Sequence, residues 1–342
     1  MLKKTGLILF LLALSAYPLL AQIGGESTYN FLKIGSSPKS AALAGACLAP
    51  LHNDVGMASQ NPALLDSAMR NTYALTYLAY LAGISHSSAA GAWRAGGAGM
   101  FGVGFVSLNY GSFDGRDEAG EEAGRFGANE FAVGLSYSRS VLSFLNVGVT
   151  LNTVISQLER YSSYGAALSI GARYRSADGL MSATLALKNV GAQLKPYHDD
   201  NHERLPLELQ LGFAKKLERA PLGFSVTLND LQSFSVYNDT REQDNVLNAG
   251  AQGASVMTKI GREFLSHLSL GVEVAPSKYF YVMGGYNFRR SNELSIAEGG
   301  SGTGFSFGLG ILLKYFELSY ARAIYHVGGA TNHFGIVLKK FT

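Results

Sequence analysis

Alternation with a period of two is the feature that most restricts this chain. In 131–138, Phe131, Val133, Leu135 and Tyr137 fall on one face, and Ala132, Gly134, Ser136 and Ser138 on the other. In 145–152, Leu145, Val147, Val149 and Leu151 oppose Asn146, Gly148, Thr150 and Asn152. The pattern returns in 222–229, 268–274 and 305–311. A β-strand sends successive side chains to opposite faces, so each segment has one greasy face and one small or polar face.

Alternation alone also suits a soluble sandwich, and the connections separate the two. About fourteen strands can be marked, near 72–80, 84–94, 98–110, 128–139, 144–157, 162–175, 180–189, 205–216, 221–230, 264–275, 279–289, 303–314, 316–323 and 333–341. Every even-numbered connection is short, whereas the odd-numbered ones include the long segments 111–127, 190–204, 231–263 and 290–302. Short turns at one rim and long loops at the other mark an outer-membrane barrel, with the short side periplasmic. The fold class expected is therefore all-β: a transmembrane antiparallel β-barrel of about 14 strands with an N-terminal plug. Strands of about ten residues, tilted by roughly 45°, cross the hydrocarbon, and closure leaves no unpaired edge in lipid.

Composition agrees. Charged residues are only 15% of the chain, Gly numbers 41, Pro only 8, and Tyr and Phe 18 and 19. A net charge of +3 gives no reason to expect nucleic acid. Aromatic residues at strand ends (Tyr73, Tyr80, Tyr110, Tyr174, Tyr279, Tyr281, Phe316, Tyr320, Tyr325) are expected to form interfacial girdles.

Residues 1–21 read as a signal peptide, with Lys3-Lys4, an apolar run and a cut after Ala21. Residues 22–70 lack the alternation and are expected to form a plug inside the barrel made by 71–342. Ser40–Ala49 is small and apolar, and Leu51–Asp66 contains Asn61-Pro62, a turn or helix-start dipeptide. The plug motif comprises Asp54, Asn61, Pro62, Ala63 and Leu64. Cys47 is the only cysteine, which excludes an intramolecular disulfide and a Cys-based zinc site.

Little in the chain suggests chemistry. His198-Asp199-Asp200-Asn201-His202-Glu203 is the densest polar cluster, but it lacks the spacing of a helical zinc site or a calcium loop. His52 beside Asp54 suits a hydrogen bond within the plug, and His86, His267, His326 and His333 suit interfacial positions. Ser266 and His267, read as neighbours on one strand, would point to opposite faces. No catalytic residue, cofactor or metal is expected.

Three motifs carry a resemblance. IGGESTYNFL (Ile23–Leu32), SPKSAALAGAC (Ser37–Cys47) and NDVGMASQNPALL (Asn53–Leu65) resemble the PorV/PorQ family of FadL-like outer-membrane proteins, and the GGESTYNFL start is most like the PorQ subunit of the type IX secretion system. The resemblance implies a non-enzymatic part in a cell-surface attachment complex. Such a barrel holds a peripheral PorZ-like subunit, with PorU/PorV-like subunits as further partners, for cargo maturation and attachment to lipopolysaccharide. Outer-membrane lipid and lipopolysaccharide would surround it.

Contact with a surface partner is expected from the long loops, which carry Asp117, Glu118, Tyr197, Phe234 and Tyr237. The 111–127 segment holds five carboxylates and two arginines, while the short turns are basic. The competing expectation is a FadL-like transporter of hydrophobic small molecules. Apolar residues on both faces of 98–110 (Val103, Phe105, Val106, Leu108) favour it, and inward faces of Gly, Ser, Ala, Asn and Thr weigh against it.

Overall fold

The computed structural model describes residues 27–45, 49, 54–97, 99–116, 120–198, 201–233, 256–293, 302–326 and 329–339. Fourteen antiparallel strands close into one barrel, each hydrogen-bonded to its neighbours in sequence and the first to the last. The strands are β1 (Thr72–Ala79), β2 (Ser85–Arg94), β3 (Met100–Arg116), β4 (Glu122–Leu142), β5 (Leu145–Leu158), β6 (Tyr161–Arg175) and β7 (Met181–Lys195). They continue as β8 (Glu208–Lys216), β9 (Leu222–Leu228), β10 (Leu268–Ser277), β11 (Phe280–Asn287), β12 (Phe305–Leu312), β13 (Phe316–His326) and β14 (Gly329–Lys339). The closing ladder runs from Thr72↔Lys339 to Ala79↔Asn332, eight consecutive pairs without a slip.

The period-two pattern sorts as the physics of a wall in hydrocarbon requires. Leu135, Leu151, Ile170, Leu185, Phe307 and Phe334 all stand between 49 and 62% exposed on the outside. Their neighbours Ser136, Thr150, Ser169, Thr184 and Ser306 are buried inside. For β1 to β3, whose faces are weakly marked in the sequence, the outer set is Tyr73, Leu75, Tyr77, Val103 and Phe105.

The wall is taller on one side, where β3 to β7 run for 14 to 21 residues, than at β8 to β12, where strands have 7 to 10. Much of the segment 111–127, expected as a loop, is strand. β3 and β4 continue as a ladder through Phe113↔Phe126 and Asp114↔Arg125 to Arg116↔Glu122. β2 leaves β3 at Asn109 and β5 leaves β4 at Ala128, so 110–116 and 122–127 project as a two-stranded arm, roughly 20 Å at about 3.3 Å per residue. Gly111, at φ 89°, occupies the register shift where the arm departs.

Other boundaries also move. β7 runs on to Lys195 into the expected 190–204 loop. The strand expected from 264 instead begins at Leu268, because a helix, α2 (Val256–Ser266), precedes it. Another short helix, α3 (Phe288–Glu293), follows β11. The first helix of the described chain, α1 (Pro38–Ala42), belongs to the N-terminal segment.

Candidate functional site

Residues 27–45 and 54–70 occupy the lumen as a chain of short turns. Apart from Asn30–Lys33, each turn starts on a side-chain cap. Ser37 accepts from Lys39 N to open α1. Asp54 accepts from Gly56 N at 2.9 Å to open the 3-10 turn Val55–Ser59. Asn61 accepts from Ala63 N at 3.1 Å to open Pro62–Leu64, and Asp66 accepts from Ala68 N at 2.9 Å to open Ser67–Met69. These are the residue types that satisfy orphaned helix N–H groups, with Pro at the first position where its missing N–H costs nothing. Ser37 Oγ also donates to Asp54, tying the first of these turns to the second.

The inward glycines of the wall make room for this segment. A Cβ on Gly148 would lie 2.5 Å from the Pro62 carbonyl carbon and 2.8 Å from Ala63 N. On Gly102 it would meet Leu65 at 3.0 Å, on Gly308 Ala42 at 2.7 Å and on Gly335 Pro38 at 2.8 Å. The inward small residues thus meet protein rather than water. Phe31, Met57, Leu64, Leu65 and Met69 are buried, packing against wall residues such as Ala92, Met100, Leu108 and Val337. Asn146 Nδ2 donates to Ala63 O at 2.7 Å and Leu65 O at 2.9 Å, holding the turn main chain to β5.

Charges hold the segment as well. Lys39 Nζ lies 2.7 Å from Glu317 Oε1 with both side chains 3% exposed, and Tyr281 Oη donates to the same carboxylate at 2.7 Å. Arg173 and Arg175 each reach Asp66 at 3.5 Å near the short-turn rim. At the long-loop rim, Asp230 joins Lys33 at 3.2 Å to Arg289 at 2.7 Å. Burial pushes the Asp230 carboxyl up, but Lys33 and Arg289 outweigh it and hold it below the ordinary aspartate range.

Among the cavities that adjoin the segment, two share lining residues. One, about 40 Å³, is lined mainly by apolar groups including Phe31, Leu32, Ile34, Val55, Val106 and Ala132. The other, about 230 Å³, opens toward the long-loop rim and sets Lys33, Lys188, Arg289 and Arg290 against Glu208 and Asp230. Gln60 and Lys188 line both. Lys188 pairs with Glu208 at 2.8 Å, and Gln210, Asn229, Ser269 and Asn287 extend that polar chain to Ala44 O.

The structure brings Asp54, Asn61, Pro62, Ala63 and Leu64 together in the lumen, all buried. Tyr197 does not stand free on the rim: its hydroxyl donates to Ser156 and its ring lies 6.5 Å from Tyr29, the first large side chain of the inner segment. Asp117, Glu118, Phe234 and Tyr237 lie outside the described residues, as do Cys47, His52, Asp199 and Asp200 and the 1–21 segment. His86 and His333, expected at the interface, are fully buried and inward, one on each side of Leu78. Tyr281 and Tyr110 likewise leave the expected girdle, turning inward to Glu317 and Glu130. Ser266 ends a helix and donates to Arg262 O, while His267 bonds Asn229 O at 2.7 Å. Lys39, Glu317, Asp230 and Arg289 were not singled out from the sequence, where nothing near any of them marks its partner.

With the lumen described, the chain can be set beside known structures. The Pseudomonas putida toluene transporter TodX matches it with a TM-score of 0.52 at 9% identity, over 89% of this chain and 96% of that one. The CymD monoaromatic hydrocarbon channel matches with a TM-score of 0.51 at 11% identity, over 92% and 100%. The chain has the FadL-like barrel fold. At such identities the likeness concerns fold alone. No protein-family model and no curated protein sequence matches the chain.

Proposed function

We propose that the protein is an integral outer-membrane barrel that admits hydrophobic small molecules, with the long loops outside and the short turns in the periplasm. The observation that carries this reading is the pair of cavities that share Gln60 and Lys188 in their linings: a cationic vestibule at the rim and, across those two side chains, a mainly apolar chamber against the wall. Val106, which lines the chamber, and Leu108, buried beside Phe31, are inward apolar residues of β3. TodX and CymD, which share the fold, are a toluene transporter and a hydrocarbon channel. A chamber of about 40 Å³ has room for little more than a water molecule, so uptake requires the inner segment to move. The test is binding of a monoaromatic hydrocarbon to the reconstituted barrel by calorimetry. Ala132→Trp, which fills the chamber, should abolish binding; undiminished binding in that variant would overturn the reading.

A second reading is supported by different observations. The motifs Ile23–Leu32, Ser37–Cys47 and Asn53–Leu65 resemble the PorV/PorQ family, and the arm 110–127 carries a stacked Phe113–Phe126 pair, 42 and 36% exposed. In this reading the arm presents an aromatic contact to a peripheral PorZ-like subunit of a type IX attachment complex. Gentle extraction followed by mass spectrometry separates the two. A stoichiometric surface protein that is lost when 112–125 is replaced by a short turn favours anchoring; a lone barrel favours uptake.

A further inference from the structure

The outer surface has a groove of its own. It spans β12 to β3 across the closing seam, encloses about 650 Å³, and is walled by Leu75, Tyr77, Phe105, Leu309, Leu318 and Phe334. Small outward residues, Ser87 and Ala89 of β2, form part of its floor. The groove lies within the apolar belt, so hydrocarbon chains are its surroundings.

What stands above the groove narrows the occupant. Tyr320 and Phe334 line its end toward the long-loop rim, with ring centroids 5.3 Å apart. Two residues further along the same strands and the same outer face, a rise of roughly 7 Å, come Arg322 and Asn332, which are cross-strand partners. Asn332 Oδ1 accepts from Tyr320 Oη at 2.8 Å and from Arg322 Nη1 at 3.3 Å. The guanidinium is therefore steadied by a neutral acceptor, and among the described residues no carboxylate lies within ion-pair distance of it. An arginine on the lipid face near the rim is tolerated at small cost, and its fork of donors matches a phosphate.

We propose that β12 to β3 form a specific site for lipid A, the phosphorylated anchor of lipopolysaccharide, with an acyl chain in the groove and a phosphate on Arg322. The inference rests on the orientation given above, which puts the long-loop rim in the outer leaflet. Native mass spectrometry of the full-length barrel in mild detergent, titrated with bis-phosphorylated lipid A, tests it. The wild type should retain one lipid A, and Arg322→Gln should weaken retention about tenfold, the loss expected for one charge-assisted contact. Ala89→Trp, which fills the groove, should weaken it comparably, and Arg160→Gln, on another rim turn, should leave it unchanged. Dephosphorylated lipid A should bind the wild type as poorly as lipid A binds Arg322→Gln. Retention unaffected by Arg322→Gln, or equal retention of phosphatidylglycerol, would overturn the site. An epitope placed in the 110–127 arm is probed on intact cells alongside. An exposed epitope with failed retention rejects the site alone, and a hidden epitope rejects the orientation and the lipid A assignment together.

Discussion

Removing the Lys39 charge should release the inner segment while leaving the barrel closed. Lys39 sits on α1 and Glu317 on β13, joined at 2.7 Å with both side chains 3% exposed. Lys39 Nζ also stands 5.4 Å from the Tyr281 ring centroid. Asp54 and Glu273, each 4% exposed, are further carboxylates whose charge acts on Lys39. The other cation near Glu317 is Lys339, at 4.0 Å and with its side chain 44% exposed. Lys39→Met thus leaves buried carboxylates facing one another, whereas Glu317→Gln leaves Lys39 with Asp54 and Glu273. Breaking a buried pair from one side costs about 3–5 kcal/mol. The lysine variant belongs at the upper end of that range and the glutamate variant at or below its lower end.

Expressed as an equilibrium, about 3–5 kcal/mol raises the released population by roughly a hundredfold to several thousandfold. Single-barrel conductance in planar bilayers reads the release as open events, and limited proteolysis reads it as cuts within 27–70. Resistance of the barrel to unfolding in dodecyl sulfate at room temperature, measured on the same samples, reports that the wall remains closed. The double variant Lys39→Met/Glu317→Leu removes both charges and should recover part of the loss, because an apolar pair replaces the ion pair at little net cost while Asp54 and Glu273 still lack the Lys39 charge and the Tyr281 hydroxyl loses its carboxylate acceptor. A Lys39→Met barrel as quiet and protease-resistant as wild type would refute the reasoning, as would a double variant as leaky as the single one.

Other outcomes follow from the same contacts. Gly148→Val places a side chain against the Pro62–Ala63 main chain, where even a Cβ would lie 2.5 Å from Pro62; it should destabilise segment docking by at least the ~1–3 kcal/mol typical of overpacking, seen as protease sensitivity. The Asp230 carboxyl is held below its ordinary value in the folded protein. The stability it contributes is therefore fully present above the unfolded aspartate pKa of about 4 and is lost as pH falls through the depressed folded value. Conductance should stay flat from neutral pH down to about 5 and rise in stronger acid, while Asp230→Asn should leak already at neutral pH with that acid dependence removed. Replacing 112–125 by a two-residue turn should leave the melting temperature unchanged, because among the described residues that arm has no lateral strand partner.

The wall was legible in the sequence because a strand between lipid and lumen must alternate, and alternation survives without knowledge of its neighbours. Leu145–Leu158 was readable for that reason. The arm was not: Phe113–Phe126 and Asp114–Arg125 are cross-strand pairs, and a run rich in Gly, Asp and Glu looks like a loop until its partner is known. The helix at Val256–Ser266 had a signal, since Met257, Ile260 and Phe264 follow a helical spacing. It lay inside a long polar segment, where the expected strand drew the boundary four residues too early. Asp54, Asn61 and Pro62 were visible as capping and turn residues because caps are local. The ion pair of Lys39 with Glu317 links positions 278 residues apart, and neither flanking sequence records the other.

The lumen gives the small inward residues a meaning that composition alone did not. A water-filled channel would also favour Gly, Ser and Thr on its inner face, and on that basis the inner wall looked unsuited to greasy cargo. Gly102, Gly148, Gly308 and Gly335 instead face Leu65, Pro62, Ala42 and Pro38, so their size fits a chain that is already there. The polarity of the bare wall therefore says little about what passes, because a solute moving beside the inner segment meets Phe31, Val55 and Val106 as well as serine. Opening must then break contacts in a particular place. The Lys39–Glu317 pair is buried on both sides, whereas Lys33 and Arg289 reach the buried Asp230 from side chains 33 and 37% exposed. Exposed pairs are screened and weak, and buried ones are costly to separate. The segment should loosen first at the long-loop rim, where the cationic vestibule lies, and its last hold should be at the buried Lys39.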